Sequence, residues 1–80
     1  MRLTLVTRKR CHLCDAAAAD LRSLGVEFDE VDVDSEPDLL ALYDDAVPVV
    51  LAGGRELCRA PFSRQDLLSA LRAVSLGSGS

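Results

Sequence analysis

Two cysteines separated by two residues are the side chains of this sequence best suited to chemistry. They are Cys11 and Cys14, inside a polar segment that spans residues 8–14. A thiolate at one end of such a pair can attack a disulfide, and the second thiol can then displace the product from the mixed disulfide. The spacing indicates thiol–disulfide exchange, with Cys11 as the attacking thiol. Cys14 is the resolving thiol, and we expect it to be the less exposed of the two because it lies almost one helical turn further on.

The residues around Cys11 favour its thiolate form. A helical pattern begins at Cys11, so the thiol is placed at a helix N-terminus, where the dipole and unpaired N–H groups stabilise negative charge. Arg8, Lys9 and Arg10 add positive potential, and a protonated His12 would add more. Such surroundings lower a cysteine pKa from about 8.5 to roughly 3.5–7.5. We therefore predict a depressed pKa for Cys11.

Two other interpretations of the cysteine pair stay open. The first is a metal site. A zinc site usually takes a second pair of ligands, and the sequence leaves only Cys58 and His12 for it. An iron–sulfur cluster bridged between two chains by Cys11 is the other metal alternative. The second is a pair of redox-inert thiols on a fold that serves as a binding surface. A c-type haem motif is excluded because Asp15, not histidine, follows Cys14.

The elements that must position the pair follow the order β-α-β-α-β-β-α. Strands are predicted at Arg2–Val6, Val26–Asp34, Val47–Leu51 and Arg55–Cys58, and helices at Cys11–Leu24, at about Ser35–Tyr43 and from Ser63 to at least Val74. Strands that alternate with helices favour parallel pairing, and Gly53-Gly54 is a hairpin turn signal. We expect an α/β fold with a four-stranded mixed sheet flanked by helices.

Local patterns make these elements specific. Gly25 is expected to end the first helix in a left-handed conformation. The Asp29-Glu30 doublet breaks the alternation of the second strand, as a bulge would. Ser35 and Asp38 resemble a capping box before the second helix. The first helix carries one apolar stripe, formed by Leu13, Ala16, Ala17, Leu21 and Leu24. Two places are open for Leu13, which is either exposed beside Cys11 or tucked beneath it.

Length and charge limit the function classes. The 80 residues form one domain, residues 1–76, followed by a Gly-Ser tail, residues 77–80, that is natural or left from cloning. The net charge of −4 argues against general binding to nucleic acids or anionic membranes. Nine of the thirteen acidic residues lie between Glu27 and Asp45, as a solvated face or as a surface for a basic partner. No signal or membrane segment is visible, so a cytoplasmic location is expected.

The chain resembles the glutaredoxin branch of the thioredoxin superfamily, and more narrowly the small bacterial glutaredoxin-like proteins that carry C-H-L-C. The resemblance covers about residues 2–75 and rests on Cys11-x-x-Cys14 after the first strand and on Val47-Pro48 at the third. It implies a cis Val47–Pro48 bond facing Cys11 and a Val47 backbone that pairs with a bound peptide or glutathione. It also implies that Arg8 helps to bind a glutathione carboxylate.

The stretch after the fourth strand departs from the glutaredoxin pattern. Glutaredoxins usually carry Gly-Gly-x-x-Asp there and hold the γ-glutamyl end of glutathione with it, whereas this chain has Leu57–Phe62. Cys58 and Arg59 occupy this stretch and are candidate substrate-binding residues by position. For Cys58, a third redox thiol, a cluster ligand and a small buried apolar residue are all open.

The resemblance implies a dithiol oxidoreductase that reduces protein disulfides or glutathione mixed disulfides, with a part in electron transport and cell redox homeostasis. We expect a monomer with no tightly bound cofactor and with glutathione as a candidate co-substrate. The electron donor is a reductase, reached either through glutathione or as thioredoxin reductase.

Overall fold

The sequence pattern folds into a four-stranded mixed sheet with helices on both faces. The computed structural model describes residues 2–78, with side chains through residue 74. The strands are β1 (Arg2–Thr7), β2 (Glu27–Asp32), β3 (Val49–Ala52) and β4 (Arg55–Arg59), and the helices are α1 (His12–Ser23), α2 (Pro37–Tyr43) and α3 (Arg64–Ser78). A short 3-10 turn, Val33–Ser35, joins β2 to α2.

The topology confirms the predicted fold class. The strand order is β2-β1-β3-β4. β1 and β2 are parallel and are connected through α1. β1 pairs antiparallel with β3. β3 and β4 form the antiparallel hairpin that the Gly53-Gly54 turn predicted.

Each face of the sheet carries its own apolar core. Leu5 and Val50 point to one face and pack with Leu21 of α1 and Leu67 of α3. The opposite face carries a second cluster, in which α2 contributes Tyr43. Neighbouring residues of a strand point to opposite faces, so a strand covered on both sides is apolar throughout, which explains the continuous run in β3.

The buried stripe of α1 differs from the predicted one. Cys14, Ala17, Ala18 and Leu21 are buried, whereas Leu13 is 61% exposed and Ala16 is also exposed. Cysteine packs as a small apolar residue, so the stripe that starts at Cys14 competes with the one that starts at Leu13. A run of alanines cannot distinguish the two helix rotations.

β2 is shorter and more regular than predicted. It ends at Asp32, and Val33 and Asp34 belong to the 3-10 turn. Its register with β1 is continuous from Glu27 to Asp32, so the bulge expected at Asp29-Glu30 is not there. Phe28 and Val31 lie three residues apart and therefore face opposite sides of the sheet, which removes the need for a bulge. The irregularity of the sheet lies instead between Val50 and Leu51.

The helix ends also separate correct predictions from wrong ones. Gly25 has a positive φ of 72° after α1, as expected. The capping box predicted at Ser35 is wrong, because Glu36 is the N-cap of α2 without a side-chain bond and the Ser35 hydroxyl donates to Asp32. α3 has a reciprocal cap: the Asp66 N–H donates to the Ser63 hydroxyl at 3.1 Å, and the Ser63 N–H donates to the Asp66 carboxylate at 2.9 Å.

α3 continues to Ser78, past the predicted domain end at residue 76. The last part of the predicted tail, residues 79–80, lies outside the described residues. Within residues 2–78, no helix combines the length and the apolar character that crossing a bilayer requires.

Candidate active site

Four chain segments meet at one edge of the sheet, where β1 delivers Cys11. β1 runs toward this edge, and the parallel β2 ends there too. β3 runs the opposite way and begins there, because Val49 pairs with Val6. β4 ends there, because Arg59 pairs with Val49. The topology alone therefore gathers the loop before Cys11, the 3-10 turn, Pro48 and the segment after β4.

Cys11 and Cys14 are joined by a disulfide, and their Cα atoms are 5.1 Å apart. Cys11 is the N-cap of α1, and its Sγ accepts a hydrogen bond from the Cys14 N–H at 3.1 Å. Cys14 is 2% exposed, whereas Cys11 is only partly buried. The predicted difference in exposure is confirmed, and the outer sulfur lies where the backbone N–H groups of a helix terminus can stabilise a thiolate.

The guanidinium of Arg8 forms hydrogen bonds with two aspartates of the protein itself. Its Nε donates to Asp34, its Nη1 to the Asp44 carbonyl oxygen, and its Nη2 to a carboxylate oxygen of each residue. These bonds raise the pKa of Arg8 and lower the pKa of Asp34. A guanidinium has five N–H groups, so one remains for a ligand. Two carboxylates also offset the positive potential that Arg8 was expected to supply to Cys11.

The other two candidate modulators flank Cys11 directly. Arg10 and His12 are its chain neighbours, and both are exposed. Arg10 has a positive φ of 59°, an uncommon conformation for a residue with a side chain. The sequence holds no signal for this left-handed residue, which turns the chain from the β1 loop into α1.

The Val47–Pro48 bond is cis, as the resemblance implied. Pro48 is buried, and its carbonyl oxygen accepts the Ala60 N–H at 3.0 Å. Val47 precedes β3, and its N–H and C=O make no backbone hydrogen bond within residues 2–78. The Ala60–Pro61 bond is cis as well, which the sequence analysis missed.

Cys58 does not lie at the substrate surface. It is 8% exposed and packs in the core cluster that contains Leu67. Burial, first, and the Asp66 and Glu56 carboxylates, second, raise the pKa of the Cys58 thiol. The structure thus corrects its assignment to substrate binding, since a side chain in the core cannot reach a docked substrate, and it agrees with a small buried apolar residue.

Arg59 is exposed but already has partners. Its guanidinium donates to Glu56 at 2.9 Å and lies 5.5 Å from the centre of the Tyr43 ring. The Glu56 hydrogen bond is the main reason that the pKa of Arg59 is raised. The guanidinium of Arg59 therefore already interacts with Glu56 of β4 and with Tyr43 of α2.

A small apolar groove beside the cysteine pair was not predicted. A cavity of about 70 Å³ is lined mainly by apolar residues of α1, of the cis bond and of the segment after β4: Leu13, Ala16, Ala17, Pro48, Ala60, Pro61 and Phe62. Asp20 is its one charged lining residue, and its carboxylate accepts a hydrogen bond from Arg64 at 3.4 Å. The signal was present in the sequence as Leu13 next to Cys14, but only the true rotation of α1 turns that side chain outward.

The zinc interpretation lacks a ligand set in this part of the chain. Across the described residues, no three histidine, cysteine, aspartate or glutamate side chains converge in a group that could hold a metal ion. The two cysteines instead satisfy each other as a disulfide.

Comparison with known proteins shows the family of the chain. Residues 2–72 match the family model described as glutaredoxin-like domain (DUF836). None of the curated proteins compared matches the chain. Among solved structures, target protein XcR50 from X. campestris is 37% identical, with a TM-score of 0.78 over 89% of this chain and 96% of that one.

Two further solved structures are similar at lower identity. Protein Ne2328 from Nitrosomonas europaea is 30% identical, with a TM-score of 0.71 over 85% of this chain and 87% of that one. The glutaredoxin-like protein NrdH-redoxin from Escherichia coli is 29% identical, with a TM-score of 0.66 over 90% of this chain and 93% of that one. On its family match and its fold, the chain belongs to the glutaredoxin-like family of the thioredoxin superfamily, and its close pair of cysteines fits a thiol oxidoreductase.

Proposed function

We propose that this protein is a dithiol–disulfide oxidoreductase in which Cys11 attacks the substrate and Cys14 resolves the intermediate. One observation carries the proposal: the partly exposed Cys11 Sγ lies at the N-cap of α1 and accepts a backbone N–H, while Cys14 is 2% exposed. A hydrogen bond to the charged form favours that form. The outer sulfur is therefore the better nucleophile at neutral pH, and the inner one is protected from solvent.

The exchange balances as follows. The Cys11 thiolate attacks one sulfur of a substrate disulfide, which forms a mixed disulfide and releases the other sulfur as a thiolate that takes up a proton. Cys14 loses its proton and attacks the Cys11 sulfur, which releases the second substrate thiol and closes the Cys11–Cys14 disulfide. Two electrons pass from the protein dithiol to the substrate. A thiol or dithiol reductant then restores the reduced protein.

The docking surface in this proposal is the backbone of Val47. Its N–H and C=O are not used by the sheet in the described residues, and Pro48 and Leu13 line the same cavity beside α1. An extended substrate chain can add to such an unused backbone edge through main-chain hydrogen bonds. In this proposal, the disulfide of the docked substrate lies next to Cys11.

For the electron donor, we propose a cytoplasmic reductase system. The E. coli NrdH-redoxin is described as a glutaredoxin-like protein with a thioredoxin-like activity profile, and that description favours thioredoxin reductase here. NADPH-coupled turnover of a mixed disulfide distinguishes the donors. Turnover that requires thioredoxin reductase supports the proposal, whereas turnover that requires glutathione and glutathione reductase contradicts this choice of donor.

Trapping of the mixed disulfide tests the roles of the two cysteines. Reduced Cys14→Ser is expected to retain a peptide disulfide adduct at Cys11, visible as added mass in the intact protein. Reduced Cys11→Ser is expected to retain none, because Cys14 is buried. Cys58→Ser serves as the matched control, since it removes the remaining cysteine, which is buried in the core, and should leave exchange intact. Adducts of equal yield on both single variants would contradict the assignment of roles.

A further inference from the structure

We propose that the groove beside Cys11 selects polypeptide disulfides flanked by aliphatic side chains and discriminates against glutathione. The inference rests on the proposed function and names the substrate class of the same site. It follows from three features of the edge around Cys11: an exposed leucine, a mainly apolar groove whose one charged lining residue is an aspartate, and three arginines near the groove that already have protein partners.

The exposed leucine is Leu13, two residues after Cys11. It is 61% exposed, although large apolar side chains usually lose solvent contact on folding. It lines the cavity together with Pro48, Pro61 and Phe62. A substrate side chain that enters this cavity removes apolar surface of both molecules from water, and the cavity of about 70 Å³ admits one short aliphatic group rather than a folded element.

The polar groups that border the groove are occupied by the protein itself. The Ala60 N–H donates to the Pro48 carbonyl oxygen at 3.0 Å. Pro61 has no N–H. The Ser63 N–H donates to the Asp66 carboxylate at 2.9 Å, so a carboxylate of the chain already lies at the start of α3. An incoming carboxylate would meet a like charge there instead of an unused donor.

Three arginines near this edge already have protein partners, and Arg8 keeps only one unused N–H. Arg8 is bonded to Asp34 and Asp44, and Arg59 is bonded to Glu56. Arg64 donates to the Ser23 hydroxyl at 2.6 Å and to Asp20 at 3.4 Å. Glutathione carries two carboxylates that need cationic or N–H partners when they lose water. Lys9 and Arg10 line a second pocket together with Arg8 and Cys14. That pocket shares no lining residue with the groove, so these cations do not serve a ligand that enters the groove.

The unused backbone of Val47 and the apolar groove complement an extended peptide. The peptide backbone beside the disulfide pairs with Val47, and a side chain next to its cysteine enters the groove. In each turnover one peptide disulfide gains two electrons and two protons to give two thiols, while Cys11 and Cys14 pass from dithiol to disulfide. Pre-reduced protein supplies these electrons, so a single-turnover experiment needs no other reductant.

The test compares three disulfides in stopped-flow single turnovers with the full chain. They are the homodimer of blocked Gly-Leu-Cys-Leu-Gly, the homodimer of blocked Gly-Ser-Cys-Ser-Gly, and glutathione disulfide, each rate constant being divided by its value with dithiothreitol. We expect the leucine peptide to react about tenfold faster than the serine peptide, in line with burial of one aliphatic side chain. Glutathione disulfide is expected to react no faster than the serine peptide.

The variants locate the selectivity. Leu13→Ser and Phe62→Ser should each reduce the rate constant for the leucine peptide to that of the serine peptide, so that the ratio of the two normalised rates falls from about ten to about one. Leu42→Ser is the matched control, because Leu42 is 65% exposed on α2, outside the groove, and should change none of the three rates.

The failures of the two proposals can be told apart. Equal normalised rates for the two peptides, or the highest rate with glutathione disulfide, would overturn the inference while leaving disulfide exchange in place. Reduction of none of the three substrates by the reduced protein would overturn the proposed function and the inference together.

Discussion

Arg8 and Asp34 form a two-point ion pair across the edge of the sheet: Nε and Nη2 of Arg8 each donate to an oxygen of Asp34 at 3.0 Å. Arg8 belongs to the loop before Cys11, and Asp34 belongs to the 3-10 turn after β2. A further bond of Arg8 to the Asp44 carbonyl oxygen at 2.9 Å brings in the end of α2. The pair therefore fixes the loop that presents the reactive sulfur.

Because of this ion pair, we expect the free energy of unfolding to decrease as the pH falls through the acid range. Arg8 lowers the pKa of Asp34 in the folded protein, so the carboxylate contributes stability above its unfolded pKa of about 3.9. That contribution is lost as the pH falls through the lower folded pKa. We expect Asp34→Asn to be less stable than the wild type at pH 7, with a difference that shrinks as the pH falls from about 5 to 2. Urea unfolding at a series of pH values measures both curves.

Asp38→Asn is the control for this prediction. Asp38 is an exposed carboxylate of α2 with no ion pair within the described residues. Its substitution removes a carboxylate that Arg8 does not contact, so it should lower the unfolding free energy at pH 7 by less than Asp34→Asn does. A pH-independent difference between Asp34→Asn and the wild type would contradict the account of the Arg8 pair.

The rotation of α1 predicts opposite outcomes for two leucines on one helix. Leu21 is fully buried against the sheet, whereas Leu13 is 61% exposed. Leu21→Ala should lower the free energy of unfolding by about 2–5 kcal/mol, because it removes apolar contacts and leaves a cavity. Leu13→Ala should change it by no more than about 0.5 kcal/mol. Chemical denaturation of both variants decides, and equal losses would restore the stripe first predicted from the sequence.

The buried position of Cys58 predicts a silent thiol. Its pKa is raised by burial and by nearby carboxylates, so little thiolate forms at pH 7, and access is limited as well. In the reduced protein, iodoacetamide should modify Cys11 at least tenfold faster than Cys58, because alkylation requires the thiolate. Peptide mass spectrometry over time gives both rates. In concentrated urea the Cys58 rate should rise toward that of an ordinary cysteine, and a fast Cys58 in the folded state would refute its place in the core.

The reciprocal cap of α3 predicts a measurable loss of stability. The Ser63 hydroxyl accepts the Asp66 N–H, and loss of such a cap costs about 1 kcal/mol. Ser63→Ala should therefore lower the unfolding free energy by about that amount. Ser69→Ala is the matched control, since Ser69 is exposed within the same helix, where alanine is the better helix former. A loss of equal size at both serines would show that the cap contributes nothing specific.

Sequence reasoning recovered what is encoded locally. The order of elements, the parallel pairing of β1 with β2, the β3–β4 hairpin, the left-handed Gly25 and the position of Cys11 at the start of α1 follow from periodicity, turn residues and spacing. The antiparallel pairing of β1 with β3 was not predicted, because strands that alternate with helices favour parallel pairing. The cis bond at Pro48 came from the family resemblance rather than from the residues alone. These features depend on neighbours in the chain or on a motif, so one sequence is enough to predict them.

The errors arose where distant residues decide. The partners of Arg8 lie 26 and 36 positions away, and no spacing rule connects them. The buried face of α1 includes Cys14 and not Leu13. Cys58 was assigned by the position of a missing motif, but its side chain faces the core. Each of these outcomes is set by packing across the sheet.

The antiparallel course of β3 separates the two ends of the molecule. β3 begins beside Val6, near the cysteine pair, and ends at Ala52 opposite Leu3. The Gly53-Gly54 turn therefore lies at the end of the sheet away from the cysteine pair. Both glycines are exposed and have positive φ angles, and a residue inserted between them would not contact the surroundings of Cys11. This turn is a natural point for a fluorescent label or a surface tether, which would leave the reactive end facing the solution.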